Sequence, residues 1–323
     1  MVAFLPVAAC GLSLLTTIKG LTTDDSLVPI ERTVRKVMSQ WPPETRVRDL
    51  GENERETWAV AQHLHRRLQN FRRNGDCGRC WLQKAHCICA DCPPLEDGHS
   101  TSPLAAGAMM IRRVFVLTHH KEICLVYDTA KLIAASFPWS CRIVVGGISD
   151  QYQESMQEML KCLAQKASSC LILFPSEHAR TWNEIQSNVD NGHVFTPPEG
   201  WNIIVLDGTW EQARRLYRRH VLPAVGAKDF QSAPLHVKLS DESLESILSE
   251  QFSSCASQDM QLRRHPEQWR QISTLAAVRL VLSEMIPRRI DTWSRLGEYQ
   301  ECANRAARQQ LGPIRLRQTN EWQ

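Results

Sequence analysis

The stretch Leu206-Asp207-Gly208-Thr209-Trp210-Glu211-Gln212 sets a carboxylate, a glycine and a helix start side by side. The apolar run Ile203-Ile204-Val205 before it reads as a buried strand, and the residues after it read as a helix. Thr209 and Gln212 have the spacing of a capping box, which predicts that the helix starts at Thr209. Asp207 then falls at the carboxyl end of a strand, with Gly208 able to turn the backbone sharply. Ligands of open α/β sheets bind beyond the strand ends, so a carboxylate there is placed to move a proton. The competing reading is that Asp207 only caps the helix.

Other groups have chemical potential of their own. Cys77-Gly78-Arg79-Cys80 is followed by Cys87-Ile88-Cys89, with Cys92 three residues further on. A Cys-x2-Cys knuckle offers two thiolates to one zinc ion, and a second close pair completes a closed, structural, tetrahedral site. His86 and Cys92 are alternative ligands, and free buried thiols are the competing reading. Arg214, Arg215, Arg218 and Arg219 follow Asp207 in i, i+4 pairs, a pattern suited to a phosphate backbone but also to an ordinary solvated helix face. Thr118-His119-His120-Lys121-Glu122 ends another apolar run, and a histidine there serves either structure or acid–base work. Phe174-Pro175-Ser176-Glu177 and Ile272-Ser273-Thr274-Leu275 are junctions whose backbone groups could meet a ligand.

The elements that must position these residues alternate. Strands are predicted over 114–117, 142–145, 170–174, 203–206 and 235–239, and helices over 53–71, 128–136, 151–166, 209–221 and 274–285, with a short helix from about Glu177. Asn74-Gly75 stops the first helix. Such alternation predicts a mostly parallel sheet covered on both faces. Residues 1–50 read as a disordered or helical extension, broken by Trp41-Pro42-Pro43, and 51–100 as a helix plus a Cys-rich segment. Residues 101–312 read as the main α/β domain, with an insertion over 241–259. The fifteen glycines form neither G-x-G-x-x-G nor G-x-x-x-x-G-K, so the common dinucleotide and P-loop cradles are unsupported.

Composition excludes little. The chain has 323 residues, 43% hydrophobic and 23% charged, as in ordinary globular proteins. A formal net charge of +3 means that any affinity for nucleic acid must come from local clusters. No run reaches transmembrane length, and neither a membrane nor DNA is an expected partner. The first eighteen residues are apolar but lack a basic n-region, and the twelve cysteines are crowded rather than spaced as a disulfide framework. An intracellular protein, cytoplasmic or nuclear, is expected, with organelle targeting as the alternative.

Taken in order over 77–310, these segments resemble the DTW-domain family, the tRNA-uridine aminocarboxypropyltransferases. The resemblance rests on the cysteine cluster, the strand leading to His119-x-x-Glu122, Leu171-Ile172-Leu173-Phe174-Pro175, Asp207-Gly208-Thr209-Trp210-x-Gln212-Ala213, Leu262-Arg263 and Ser273-Thr274-Leu275. The Asp-Gly-Thr-Trp form looks closest to the second of two eukaryotic branches. The resemblance implies a SPOUT-like α/β fold with a C-terminal trefoil knot. It also implies S-adenosylmethionine as donor, cradled by Phe174, Pro175 and Ser176, by Leu206, Gly208, Thr209 and Trp210, and by Ile272, Ser273, Thr274 and Leu275.

The implied product is 3-(3-amino-3-carboxypropyl)uridine in tRNA, with methylthioadenosine released. Asp207 is the expected base for uridine N3, and His119, Glu122, Arg214, Arg215, Arg218 and Arg263 are expected to hold the acceptor or the donor's carboxylate. Cys77, Cys80, Cys87 and Cys89 are the expected zinc ligands. Two departures stand out: Ala276 replaces a family glutamate, and His120 a family proline. Loss of that carboxylate keeps a non-catalytic RNA-binding or ribosome-assembly role on the same scaffold as an alternative, together with ribosomal RNA as acceptor.

Overall fold

The computed structural model describes residues 25–41, 47–96, 104–106, 109–165, 167–191, 197–225, 233–246 and 272–312. Its strands are β1 (Ala105–Ala106), β2 (Met109–His119), β3 (Cys141–Gly146), β4 (Cys170–Leu173), β5 (Trp201–Asp207) and β6 (Leu235–Val237). The helices are α1 (Val28–Gln40), α2 (Glu52–Arg73), α3 (Ala130–Ser136), α4 (Glu154–Gln165), α5 (Trp182–Asp190), α6 (Trp210–Leu216), α7 (Leu222–Val225), α8 (241–246), α9 (Thr274–Met285) and α10 (Ile290–Leu311). Five strands form a parallel sheet in the order β3-β2-β5-β4-β6, and β1 adds a short antiparallel hairpin to β2.

Period-2 alternation sorts the side chains of this sheet. Val114, Val116, Leu171, Ile203 and Val205 enter one core with α3, α5, α9 and α10. Their neighbours Phe115, Leu117, Ile172, Ile204 and Leu206 enter the other core with α4 and α6. All seven residues of β5 are buried, as expected of a central strand covered on both faces.

The connection leaving β2 runs to β3 on one side, over the face of α3. The connection leaving β5 runs the other way, past β4 to β6, over the face of α6. Adjacent strands whose outgoing loops diverge leave a crevice between their carboxyl ends. Thr118 pairs with Asp207 in that register, so the crevice opens between the ends of β2 and β5.

The extension expected to be disordered or helical includes α1, whose Ile30, Val34 and Val37 pack on Trp58, Leu64 and Leu68 of α2. Each such side chain contributes about 1.5–3 kcal/mol when fully buried, enough to order a helix that would not persist alone. Residues 1–24 and 42–46 lie outside the described residues. The helix expected from Glu177 starts instead at Trp182, where Thr181 and Glu184 form a capping box. The helix expected over 209–221 changes at Tyr217 into one π turn over Tyr217–Val221. The expected 241–259 insertion opens with α8, and its remainder lies outside the described residues. Among the described residues, no helix is long and apolar enough to cross a membrane.

Candidate active site

Asp207 ends the central strand and is 3% exposed. Thr274 at the start of α9 donates its hydroxyl to Asp207 Oδ1 at 2.7 Å. The chain after Asp207 turns through Gly208 at φ +144°, a conformation that side chains resist. An ideal Cβ on Gly208 would lie 2.9 Å from Gln212 Oε1, so the turn has no room for one. Thr209 then caps α6: its Oγ1 accepts from Gln212 N at 3.3 Å, and its own N–H donates to Gln212 Oε1 at 2.7 Å. The predicted box is present, and it is Thr209 that caps the helix; Asp207 does not.

The three expected donor loops meet here. Phe174, after β4, lies 6.3 Å from Trp210 after β5, ring centroid to centroid. Thr274, reached from β6, holds Asp207. Residues 173–176, 208–210 and 272–274 form a half-buried to exposed rim around the buried carboxylate, while Leu206 and Leu275 are buried beneath it. Ser273 caps α9 by accepting from Ala276 N at 3.2 Å, and it also accepts from Gln300 of α10 at 3.0 Å. Ala276 occupies the third helical position, where a glutamate would close a capping box. It packs instead in an apolar cluster with Leu239, Ile272 and Leu280.

Two further residues at this rim carry no sequence signal that sets them apart. Tyr217 stacks on Phe174 at 5.2 Å and 16°, and His236 of β6 meets Tyr217 edge-on at 5.4 Å. His236 Nδ1 bonds Ser176 Oγ at 2.5 Å and its Nε2 bonds the Tyr217 hydroxyl at 3.3 Å, locking the β4 loop to α6. Burial lowers the His236 pKa from its ordinary value, so the ring is neutral there. The π turn begins at Tyr217; a π turn widens the helix locally and is often found at functional sites.

The expected acceptor-binding residues divide. His119 is buried at the end of β2, and its Cβ lies 3.4 Å from where a Gly208 Cβ would be. Burial, and then the fields of Lys121 and Arg215, push its pKa down to about 4. Glu122 is buried behind it, its N–H donating to the His119 carbonyl at 2.8 Å. Arg214 and Arg215 are exposed on α6 and Arg218 on the π turn after it, where with Glu211 and Arg219 they line an open groove of about 470 Å³. Arg263 lies outside the described residues.

The cysteine cluster closes as expected. Cys77 Sγ lies 3.6 Å from Cys89 Sγ, and Cys80 Sγ lies 3.7 Å from Cys87 Sγ. All four sulfurs fall within 4.8 Å of one another. Sulfurs about 2.3 Å from a tetrahedral zinc ion are about 3.8 Å apart, so the set fits the ion. Hydrogen bonds from Cys80 and Cys89 push the Cys77 thiol down, while the bond to Cys77 pushes Cys89 up. Neither alternative ligand joins the set; Cys92 instead faces Cys302 of α10.

A family model described as the DTW domain matches residues 74–308, most of the chain and all of the sheet. The chain belongs to the DTW domain family. Among curated relatives of this DTW chain, tRNA-uridine aminocarboxypropyltransferase 2 of Macaca fascicularis is 26% identical over 156 residues, covering 48% of this chain and 45% of that protein. The protein of the same name from Mus musculus is 25% identical over the same shares. The chain thus spans about half the length of the curated relatives it matches. No solved structure matches it.

Proposed function

We propose that this DTW protein transfers the 3-amino-3-carboxypropyl group of S-adenosylmethionine to N3 of a uridine in tRNA. The observation that carries this reading is the Asp207 carboxylate, held by Thr274 at the divergence of β2 and β5. The names of the curated relatives support the reaction class. We place the site in a SPOUT-like fold with a C-terminal knot; its support is the return of the chain after β6 to the end of β5.

Uridine N3 is a poor nucleophile while protonated. Asp207 takes that proton as N3 attacks, and a base so placed contributes about 10²- to 10⁴-fold. Bound sulfonium supplies the leaving group, released as methylthioadenosine. The rim fits such a donor: Phe174, Trp210 and Tyr217 offer ring faces to an adenine or a cation, and the loop backbones offer hydrogen bonds. Thr274 orients the base, His236 fixes Ser176 and Tyr217, and the burial of Asp207 keeps most water from the carboxylate. Cys77, Cys80, Cys87 and Cys89 hold zinc away from the chemistry and fasten their loop.

Protein incubated with tRNA and labelled donor should transfer label from the aminocarboxypropyl arm and not from the methyl. Methyl transfer would overturn the reading. The Ala276 observation favours a second reading, an RNA-binding protein without catalysis; donor affinity measured by calorimetry without RNA separates the two.

A further inference from the structure

We infer that the helix pair α1–α2, which precedes the matched domain, completes an RNA-phosphate surface across the mouth of the Asp207 site. Arg66, Arg67 and Lys121 form one flank and Arg214, Arg215 and Arg218 the other. The inference rests on tRNA being the acceptor, and adds to it a second flank in which Arg66 and Arg67 come from outside the family match and Lys121 from within it.

The helix α2 docks on the same strand ends that carry the chemistry. Ser149 N donates to Thr57 Oγ1 at 3.1 Å, and Glu56 pairs with Arg219 beyond α6. Gly147, at φ +92°, lets α2 approach closely: an ideal Cβ there would lie 2.9 Å from Val60 Cγ2 and 3.7 Å from His120 Nδ1. Arg67 Nη1 donates to the Lys121 carbonyl at 2.7 Å, tying α2 to the loop after His119. From α2 a row of imidazoles then leads to the Asp207 turn. His63 meets His120 at 5.5 Å, His120 stacks on His119 at 4.3 Å, and His119 touches the Gly208 turn.

The fields on two members of this row have one sign. After burial, the fields acting on His63 are those of Arg67, Arg66 and Lys121; those on His119 are Lys121, Arg215 and His63. The acids on this side are engaged: Glu56 with Arg219, and Glu211 with Arg215 at 2.6 Å. Among the described residues, Arg214 and Arg218 make no ion pair, and Arg66 is exposed with only its own helix carbonyl of Gln62 at 3.4 Å. In a chain with a formal net charge of only +3, so local a cluster beside a cleft matches a polyanion that must enter that cleft.

The test measures tRNA affinity of the full chain against salt. Arg66→Glu and Lys121→Glu change exposed side chains and should each lower affinity about tenfold at 100 mM salt and reduce the log–log salt slope by about one. Arg112→Glu changes the charge equally at the opposite end of β2, where Arg112 pairs with Glu199 at 2.7 Å, and should stay within about twofold of the unaltered chain. Donor affinity should be unchanged in all three. If Arg112→Glu weakens tRNA binding as much as Arg66→Glu and Lys121→Glu do, the surface is overturned. Transfer surviving in Asp207→Asn would remove Asp207 from the base role and leave the surface standing, salt-independent tRNA binding by the unaltered chain would overturn the surface alone, and absence of any tRNA binding would overturn both.

Discussion

The hydroxyl of Thr274 donates to a carboxylate that is 3% exposed, across 2.7 Å. Thr274→Val keeps the shape and removes the donor. Hydrogen bonds to charged groups are worth about 1.5–3 kcal/mol, and a buried carboxylate oxygen cannot recover that from water. In a domain of this size, about 2–4 °C per kcal/mol is lost, so Tm should fall by about 3–12 °C. The same bond aims the base. Misplacement of a reacting group by about 1 Å costs about 10²-fold, so single-turnover transfer at saturating donor should slow by that order. Thr274→Ser, which retains the hydroxyl, should sit near the unaltered protein in both measurements. In a double-mutant cycle the loss from Thr274→Val should largely vanish in an Asp207→Asn background. Unchanged Tm and rate in Thr274→Val, or full additivity with Asp207→Asn, would refute the claim that Thr274 holds this carboxylate.

Gly208→Ala should lose about 1–3 kcal/mol, because its Cβ enters the Gln212 side chain at a φ of +144°; calorimetry showing no loss would remove the steric argument. Elemental analysis should find about one zinc per chain, and Cys80→Ser or strong chelation should lower Tm; a metal-free sample of unchanged Tm would exclude a structural ion. His119, His120 and His220 have pKa values pushed down to about 4, chiefly by burial. The unfolded chain therefore takes up protons first. Stability is complete above about pH 6.5 and falls as pH drops from there toward 4, reading Tm against pH; a curve flat over that window would contradict it.

Much of the fold was legible because its signals are local. Ile203-Ile204-Val205 reads as a buried strand, and β5 is one, covered on both faces. Thr209 and Gln212 placed a helix start that depends on four adjacent residues. The Thr181–Glu184 box carries the same signal for α5 and fixes its start beyond Glu177. The signal for α10 is weaker, because its Trp293, Leu296, Tyr299 and Ala303 keep helical spacing but form a thin stripe among charged residues. The π turn at Tyr217 has no sequence mark, since it answers to what packs around it.

Ala276 illustrates the difference between a missing residue and a missing function. Read along the chain, the absent glutamate leaves a non-catalytic role open as an alternative. In the structure its position is the third residue of α9, after the Ser273 cap, among Leu239, Ile272 and Leu280. A glutamate there would have the reach of a helix cap.

Residue types and their spacing by themselves determined the alternating elements, the four-cysteine set, the capped turn after Asp207 and the candidate base, because each depends on neighbours a few positions apart. Only the tertiary structure decided that β5 lies between β2 and β4, that Thr274 reaches Asp207 from 67 residues away, that His236 joins Ser176 to Tyr217, and that α2 reaches the loop after His119 through Arg67. Strand order and helix docking are set by which apolar faces bury each other best, a sum over the whole chain that no short window contains.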